Sequence, residues 1–257
     1  MSGKQFDARV VENILINSEA RAYLMRLEVP SIATRSTPGQ FVNILCGDPE
    51  VHPLRRAFAI CHTQEKPAWI TICYHVSGEG TTWLSNRSAG DTLNVMGPLG
   101  AGFAKLPVSS VVLVGEGVGI PALLPLAKAY GKHAQVYLGF PSEGEMHLVA
   151  DFEKTGAQVH TFAGKRAGRL QGEVRSVLRS GRTQGAHLAA ELSTMGRIAP
   201  YAVDRGIPCQ VMLTPKLACG VGACRGCTRM MQIGNTRVPK QVCHDGPVFD
   251  ARIMLWE

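Results

Sequence analysis

Four cysteines near the carboxyl end of the chain constrain its structure more than any other feature. They are Cys219, Cys224, Cys227 and Cys243, spaced C-x4-C-x2-C with a fourth cysteine after 15 further residues. This opening is the plant-type spacing for a [2Fe–2S] cluster, whose thiolate ligands must converge on one compact inorganic core. The glycines between these cysteines suit a backbone that folds tightly and directs its amides at sulfur.

A structural zinc site is the alternative, because it also takes four cysteines. Zinc ribbons usually carry two C-x2-C pairs, whereas this chain has a single such pair, preceded by a four-residue gap. Unligated or disulfide-bonded cysteines are a further alternative. The spacing favours the cluster, and a cluster of this kind indicates a protein that carries electrons.

The size and composition of the chain are those of a globular protein. It has 257 residues, of which 45% are hydrophobic and 18% are charged, enough for one large or two modest domains. No apolar run is long enough to span a bilayer, and the first residues lack the pattern of a signal peptide. We therefore expect a cytoplasmic protein with reduced thiols. The other cysteines lie among apolar residues and should pack as small hydrophobic side chains: Cys46, Cys61, Cys73 and Cys209.

The net charge of +7 is spread along the chain without a basic block. Such a surface favours anionic cofactors or an acidic protein partner. The sequence contains none of the motifs of groove-binding or single-strand-binding proteins, which argues against a nucleic-acid partner. We expect neither nucleic acid nor membrane among the partners.

The first hundred residues are typical of a small antiparallel barrel. Short strand-forming runs such as 23–27, 40–44 and 69–74 are separated by Gly, Pro, Asp or Asn. Residues 96–103 are rich in glycine and are expected to form a linker or ordered loop that closes the barrel.

Strands and helices alternate after residue 109, which predicts a parallel sheet flanked by helices. The expected elements are a strand over 110–114, a helix over 122–130, strands over 135–138 and 158–162, and a helix over 173–179. The part from about residue 214 onward is glycine-rich and is expected to be irregular.

Two short motifs in the barrel suit a cofactor that carries phosphate. Arg56 follows a strand, and its guanidinium can form two charge-assisted hydrogen bonds with a pyrophosphate. The run Gly78-Glu79-Gly80-Thr81 is typical of a helix start, where backbone N–H groups bind anions. Paired arginines at a strand end are more often solvent-exposed, so the argument depends on the two motifs together.

A third motif, Gly115-x-Gly117-x-Gly119, joins a buried strand to a helix and would let a phosphate approach the backbone. Its spacing, G-x-G-x-G-x-P, differs from the G-x-G-x-x-G dinucleotide fingerprint and argues against an ordinary Rossmann dehydrogenase. Glu116 would repel a pyrophosphate here unless its carboxylate turns away.

Together these motifs resemble the electron transfer subunits of class 1B dihydroorotate dehydrogenases, a branch of the ferredoxin–NADP⁺ reductase superfamily. The resemblance covers essentially the whole chain. Its most specific parts are the run CGVGACRGC at 219–227 and the run CHDGPVF at 243–249.

The resemblance implies an α+β multi-domain fold with an antiparallel β-barrel that binds FAD over 1–104, a parallel α/β domain of the nicotinamide-binding type over 105–213, and a small [2Fe–2S] module over 214–257. FAD, the cluster and NAD(P) are the implied cofactors. The implied partner is an FMN-containing catalytic subunit that acts on dihydroorotate in pyrimidine biosynthesis, within a hetero-oligomer.

The resemblance also implies a set of site residues. At the flavin these are Arg56, which would bind the pyrophosphate, together with Ala57, Phe58, Ala59, Ile72, Cys73, Tyr74, Gly78, Gly80 and Thr81. At the nicotinamide nucleotide they are Gly115, Gly117 and Gly119, and at the cluster the four cysteines. No residue has the character of a general base for substrate oxidation, so none is assigned as catalytic and the chain is expected to transfer electrons only.

Departures from the family pattern concentrate at the nicotinamide end. Glu116 replaces a glycine, the basic residues 165–166 replace an acidic stretch, and the Cys-Gly-Pro segment is missing at 190–196. In the barrel, Ala57 and Ala59 stand where the family usually has Pro and Ser or Thr, so a hydroxyl that could contact the flavin is absent.

Two hypotheses follow for the nicotinamide end. Either Lys165, Arg166 and Arg169 accept the 2′-phosphate of NADP(H), or the α/β domain has lost nicotinamide binding and acts as a scaffold or partner surface. A reductase subunit of another complex, of the sulfhydrogenase gamma or ferredoxin:NADP oxidoreductase small-subunit type, is the alternative function. A zinc-stabilised interaction module is the alternative of a different class.

Overall fold

A closed barrel, a six-stranded sheet with flanking helices and a two-stranded hairpin make up the computed structural model, which describes residues 3–256. The expected combination of an antiparallel barrel with a parallel α/β sheet is confirmed. No helix in this part of the chain has the length and apolar character needed to cross a bilayer.

The barrel closes in the order β1-β2-β5-β4-β3-β6. Its strands are β1 (Gln5–Asn17), β2 (Ala22–Glu28), β3 (Phe41–Ile44), β4 (Arg56–Glu65), β5 (Ala68–His75) and β6 (Thr92–Leu99), and its short helices are α1 (Pro30–Ala33) and α2 (Glu79–Ser85). Successive side chains of a strand point to opposite faces, so alternate residues such as Ile70 and Ile72 fill the barrel. Cys73, on the other face of β5, packs in the core of the α/β part.

The expected loop over 96–103 is wrong for its first part, because residues 96–99 belong to β6. Met96 pairs with Asn43 and Leu99 pairs with Phe41 on the neighbouring strand. Gly97 lies so close to β3 that a Cβ at this position would come within 2.8 Å of Val42 Cγ1. Glycine at this position allows two strands to approach closely. Sequence composition alone does not distinguish such a glycine from one in a loop.

The α/β part alternates as predicted, and its sheet has the order β14-β11-β10-β7-β8-β9. The elements are β7 (Val111–Glu116), α3 (Ile120–Tyr130), β8 (Ala134–Phe140), α4 (Val149–Glu153), β9 (Gln158–Ala163), α5 (Leu170–Arg179), β10 (Gly185–Ala189), α6 (Leu192–Val203) and β11 (Cys209–Met212). Strands β7 to β11 are parallel. The connection changes direction between β7 and β10, where sheets of this type bind ligands.

The carboxyl-terminal part is more regular than the glycine content predicts. It contains a hairpin of β12 (Thr228–Ile233) and β13 (Thr236–Gln241), a short helix α7 (Val242–Asp245) and the strand β14 (Val248–Asp250). Gly234, at φ +58°, forms the two-residue turn of the hairpin. Strand β14 pairs antiparallel with β11, so the end of the chain is tied to the α/β sheet.

Candidate functional site

A cavity of about 690 Å³ lies between the barrel, the α/β sheet and the segment that leads to the cysteines. Its volume is within the range of small-molecule sites in proteins. Seven of the ten residues predicted at the flavin line it: Arg56, Ala57, Phe58, Ala59, Cys73, Tyr74 and Thr81. The opposite wall comes from residues that sequence reasoning missed: Val118, Met212, Leu213, Thr214, Pro215, Lys216, Leu217 and Pro247.

Three of the predicted residues lie elsewhere. Ile72 is fully buried in the barrel core and does not line the cavity. Gly78 and Gly80 lie at the start of α2, and a Cβ on Gly80 would come within 3.2 Å of Arg56 Nε. Gly80 thus leaves room for the arginine and does not line the cavity itself.

The two neighbouring arginines have different surroundings. Arg55 donates from Nη1 to the Asn94 carbonyl at 3.1 Å and to the Asn43 carbonyl at 3.4 Å, so it ties β3 to β6. Arg56 donates to the Leu54 carbonyl at 2.5 Å, and no carboxylate within residues 3–256 forms an ion pair with it. Arg56 is therefore the arginine that can give its charge to an anion in the cavity.

The hydroxyl of Thr81 stabilises the turn before α2. It accepts hydrogen bonds from the backbone N–H groups of Ser77 at 2.9 Å and Gly78 at 3.1 Å. Those two N–H groups are occupied within the protein. The expected binding of an anion by backbone N–H groups at this helix start is limited to the residues that follow Gly78.

Aromatic rings give the barrel side of the cavity a rigid wall. Tyr74 stacks on Tyr23 with ring centroids 5.6 Å apart and meets the edge of Phe58 at 5.7 Å. Its hydroxyl donates to Asn13 Oδ1 at 2.9 Å, and burial raises its pKa. Burial also raises the pKa of Cys73 to about 12. Both groups stay neutral near pH 7, and the aromatic wall suits a bound aromatic cofactor.

The four cysteines of the motif meet in two pairs. Cys227 Sγ and Cys243 Sγ are 3.3 Å apart, and Cys219 Sγ contacts both the Cys224 thiol and the Cys224 backbone N–H, the latter at 3.4 Å. A tetrahedral zinc site places four ligands around one ion, whereas two thiolate pairs match the two irons of a [2Fe–2S] cluster. The donor set fits the cluster.

Backbone amides around the thiols prepare them for iron. Gly222 donates to Cys243 Sγ at 3.2 Å, and Cys243 donates to Cys227 Sγ at 3.4 Å. Burial acts to raise the pKa of Cys219, but hydrogen bonds from neighbouring amides outweigh it and lower this pKa to about 6. Burial and the neighbouring thiol raise the pKa of Cys243 to about 12. Iron ligation requires thiolates, so the Cys219 thiol is already poised for it and the Cys243 thiol loses its proton on binding.

The remaining cysteines are buried free thiols away from this quartet, as predicted: Cys46, Cys61, Cys73 and Cys209.

Close packing and backbone conformation explain why glycines occur in the turn after β7. A Cβ on Gly119 would come within 2.0 Å of the Ala189 carbonyl, and a Cβ on Gly115 within 3.0 Å of Leu123 Cδ1. Gly117 has φ +51°, which favours glycine. These glycines allow β7 and α3 to pack, and they do not line the cavity described above.

Glu116 is turned toward the start of α6 and away from its own turn. Its Oε2 accepts a hydrogen bond from the Glu191 N–H at 3.0 Å. Two carboxylates thus lie at the carboxyl edge of the sheet, where a nucleotide phosphate would have to bind. Among the basic residues after β9, Arg166 pairs with Glu143 at 3.4 Å.

Comparison with known proteins gives three consistent similarities. A family model described as the iron–sulfur cluster binding domain of dihydroorotate dehydrogenase B matches residues 214–254. A protein of Fusobacterium nucleatum named dihydroorotate dehydrogenase B (NAD(+)), electron transfer subunit, is 32% identical over 95% of this chain and 95% of its own length. A protein of the same name from Caldanaerobacter subterraneus is 36% identical over 97% of this chain and 98% of its own.

Solved structures show the same architecture. The NADH-dependent reduced ferredoxin-NADP oxidoreductase, described with flavin-based electron bifurcation, is 25% identical with a TM-score of 0.81, covering 100% of this chain and 92% of the matched chain. The ferredoxin reductase of carbazole 1,9a-dioxygenase has a TM-score of 0.66 at 15% identity, covering 81% of this chain and 68% of its own, and shares the fold.

Proposed function

The chain belongs to the family of electron transfer subunits of dihydroorotate dehydrogenase B, and from this we propose that it passes electrons between a partner flavoprotein subunit and NAD(P) through a [2Fe–2S] cluster and FAD. It is a subunit of an oxidoreductase and works in a hetero-oligomer. We assign the oxidation of the substrate to the partner subunit, because the relatives are named electron transfer subunits of the dehydrogenase.

One observation carries the proposal. The wall of the cavity is formed by residues up to Leu217, and Cys219, the first thiol of the quartet, follows two residues later. A flavin in the cavity and a cluster on the thiols would therefore be neighbours within one chain. Such neighbours suit a protein that transfers electrons over a short path.

Flavin accepts two electrons as a hydride and releases them singly, and the cluster takes one at a time, so together they connect a nicotinamide to a one-electron path. The residues of this chain bind and orient these groups. We assign Arg56 to the flavin pyrophosphate, Phe58 and Tyr74 to the wall beside the ring system, and the two thiol pairs to one iron each. The backbone amides around the thiols stabilise their negative charge.

The division of the chain is part of the proposal. We assign residues 1–104 to FAD, 105–213 to the nucleotide-type domain and 214–257 to the cluster, with the last strand of the cluster module anchored on the sheet of the domain before it. The cytoplasmic location stays a prediction, which the free thiols of the described residues support.

Both hypotheses for the nicotinamide end, NADP(H) binding and a scaffold without nucleotide, stay open to test. The names of the relatives mention NAD(+), while the Glu116 and Glu191 carboxylates at the sheet edge disfavour an anionic nucleotide. Anaerobic stopped-flow mixing of the holoprotein with NADH and with NADPH separates the hypotheses. Faster flavin bleaching by NADPH supports the role of Lys165, Arg166 and Arg169 at a 2′-phosphate, and no bleaching by either supports the scaffold hypothesis.

A second candidate function is that of a reductase subunit in another complex. The similarity to the ferredoxin-NADP oxidoreductase spans the whole chain and favours it. Reconstitution with an FMN-containing dihydroorotate dehydrogenase subunit tests the choice. We expect dihydroorotate to bleach the FAD of this chain only when that subunit is present. A complex that forms but transfers no electrons from dihydroorotate would instead support the second function.

A further inference from the structure

A buried asparagine connects the barrel to the loop of cysteines. Asn43 lies on β3 and is 1% exposed. Its neighbours Val42 and Ile44 fill the barrel core, so the Asn43 side chain points outward from the barrel. Its Nδ2 donates to the carbonyl of Cys219 at 3.2 Å. This contact joins residues 176 positions apart, one in the barrel and one in the thiol quartet.

The loop is shaped to receive this side chain. Gly220 is buried with φ +71°, and a Cβ there would come within 2.0 Å of Asn43 Nδ2. The carbonyl and N–H of a trans peptide point in opposite directions. Because the Cys219 carbonyl faces Asn43, the N–H of Gly220 faces away from the barrel. The asparagine thus fixes the peptide plane from which the loop around the sulfurs begins.

The same strand segment also touches the flavin side. Phe41, two residues before Asn43 and on the same face of β3, lines the cavity. The backbone carbonyl of Asn43 accepts a hydrogen bond from Arg55, the neighbour of Arg56. A shift of Asn43 would therefore displace residues at both cofactor sites.

Packing alone does not explain a polar residue here. Asn43 Oδ1 is buried and has no hydrogen-bond partner within residues 3–256, and a buried polar atom without a partner costs free energy. An apolar side chain of similar shape would avoid this cost. The feature that an apolar side chain could not supply is the hydrogen bond to Cys219.

We propose that Asn43 is a positioning residue that holds the Cys219–Gly220 peptide at a fixed position relative to the flavin cavity. Through this peptide it also positions the thiol pair of Cys219 and Cys224. The inference rests on the proposed function, because it concerns the geometry between the two cofactor sites. Asn43 touches neither sulfur nor the cavity and acts through Cys219 and β3.

Removing the amide should let the Cys219–Gly220 peptide rotate and change the amides that face the sulfurs. The reduction potential of such a cluster depends on the hydrogen bonds to its sulfurs and on the exposure of the cluster to solvent. Loss of an outer-shell partner of a metal ligand typically costs about 10- to 100-fold in metal affinity or activity. We therefore expect Asn43→Leu and Asn43→Ala to shift the cluster potential and to release iron to a chelator about tenfold faster.

The test uses the full-length holoprotein, purified anaerobically, with flavin and iron content measured first. The EPR g-values of the reduced cluster, its midpoint potential and the rate of iron release are compared among the wild type, Asn43→Leu, Asn43→Ala and Val42→Ala. Val42 is the adjacent, fully buried residue that faces the barrel core. Its truncation destabilises the same strand without touching the loop, so it is the matched control.

We expect both Asn43 variants to change all three properties and Val42→Ala to leave them at wild-type values. Wild-type values in the Asn43 variants, or an equal change in Val42→Ala, would overturn the inference. Gly220→Ala breaks the same contact from the loop side and tests it even if the barrel variants do not fold. It should change the same properties, and its combination with Asn43→Ala should add nothing further. A Gly220→Ala protein with wild-type values would also overturn the inference.

Failure of the proposed function gives a different result. In that case the wild-type protein itself lacks flavin or iron, before any variant is compared. A wild type with both cofactors and unchanged Asn43 variants would remove only the positioning role.

Discussion

Cys227 and Cys243 place their Sγ atoms 3.3 Å apart although 16 positions of the chain separate them. The hairpin of β12 and β13 fills that interval and returns the chain to the loop, and the first residues of α7 present Cys243. Met231 of the hairpin is fully buried and forms a bridge with Met254. The pair of Cys227 and Cys243 is therefore fixed by the packing of the hairpin, whereas Cys224 of the other pair is exposed.

The exposure of Cys224 makes it the informative ligand to replace. Cys224→Ser should abolish the [2Fe–2S] spectrum and lower iron to background, because a serine hydroxyl is a poor substitute for a thiolate at iron. Flavin content should stay at the wild-type level, since Cys224 does not line the cavity. Iron analysis and visible absorption of anaerobically purified protein measure both.

The matched control for this variant is Cys209→Ala, which removes a buried thiol on β11 outside the quartet. It should retain full iron. Wild-type iron in Cys224→Ser, or loss of iron in Cys209→Ala to the same extent, would contradict the ligand assignment.

Arg56→Ala should weaken flavin retention by about 1.5–3 kcal/mol, the size of a hydrogen bond to a charged group. The physical reason is that Arg56 has no carboxylate partner in the described structure and is free to pair with a pyrophosphate. Flavin release during dialysis, followed by fluorescence, gives the affinity. The exposed Arg9 on β1 provides the control Arg9→Ala, and equal retention in the two variants would remove Arg56 from the flavin site.

Glu116→Gln should improve nicotinamide nucleotide binding. The amide oxygen can still accept from the Glu191 N–H, while the negative charge at the sheet edge is lost. Relief of repulsion on the order of 1 kcal/mol corresponds to roughly fivefold tighter binding. Titration of the holoprotein with NADH and NADPH by fluorescence measures the change. Unchanged or weaker binding of both would show that the Glu116 charge does not face the nucleotide.

Acid should destabilise the α/β domain through His187. This residue is fully buried on β10, its Nε2 lies 3.1 Å from the Tyr130 hydroxyl, and burial lowers its pKa from 6.5 to about 4. Between these two pH values the unfolded chain takes up a proton that the folded chain does not. The contribution of neutral His187 to the free energy of unfolding is fully present above pH 6.5. It is lost as the pH falls toward 4, by roughly 3 kcal/mol in total.

Urea unfolding at pH 7.5 and pH 5, followed by circular dichroism, measures this loss. In His187→Gln the difference in free energy of unfolding between the two pH values should shrink. The exposed His133 provides the control His133→Gln, which should keep the wild-type difference. An unchanged difference in His187→Gln would show that another group causes the acid sensitivity.

Much of this architecture can be predicted from the sequence because the signals are local. Alternation of strands and helices from Val111 to Arg179 depends on hydrophobic runs and turn residues, and the thiol spacing depends on the geometry of one cluster. The glycine content of residues 96–99 predicts a loop, whereas these residues belong to β6, because Gly97 allows the close approach of Val42 on β3. The hairpin was missed, although Gly234-Asn235 between two strand-length runs is a recognised turn signal.

Contacts between distant segments could not be predicted. Ile72 was expected at the flavin because it stands beside Cys73 and Tyr74, but the register of β5 points it into the barrel. The far wall of the cavity, from Met212 to Leu217, and the contact of Asn43 with Cys219 exist only after the chain is folded. No local pattern in the sequence marks either of them.

Cofactor analysis of the full-length chain, purified without oxygen, tests the central claim most directly. The account predicts one FAD and two irons with two acid-labile sulfides per chain, and a reduced cluster with a [2Fe–2S] EPR signal. A colourless protein, or one that contains zinc in place of iron and no flavin, would contradict it.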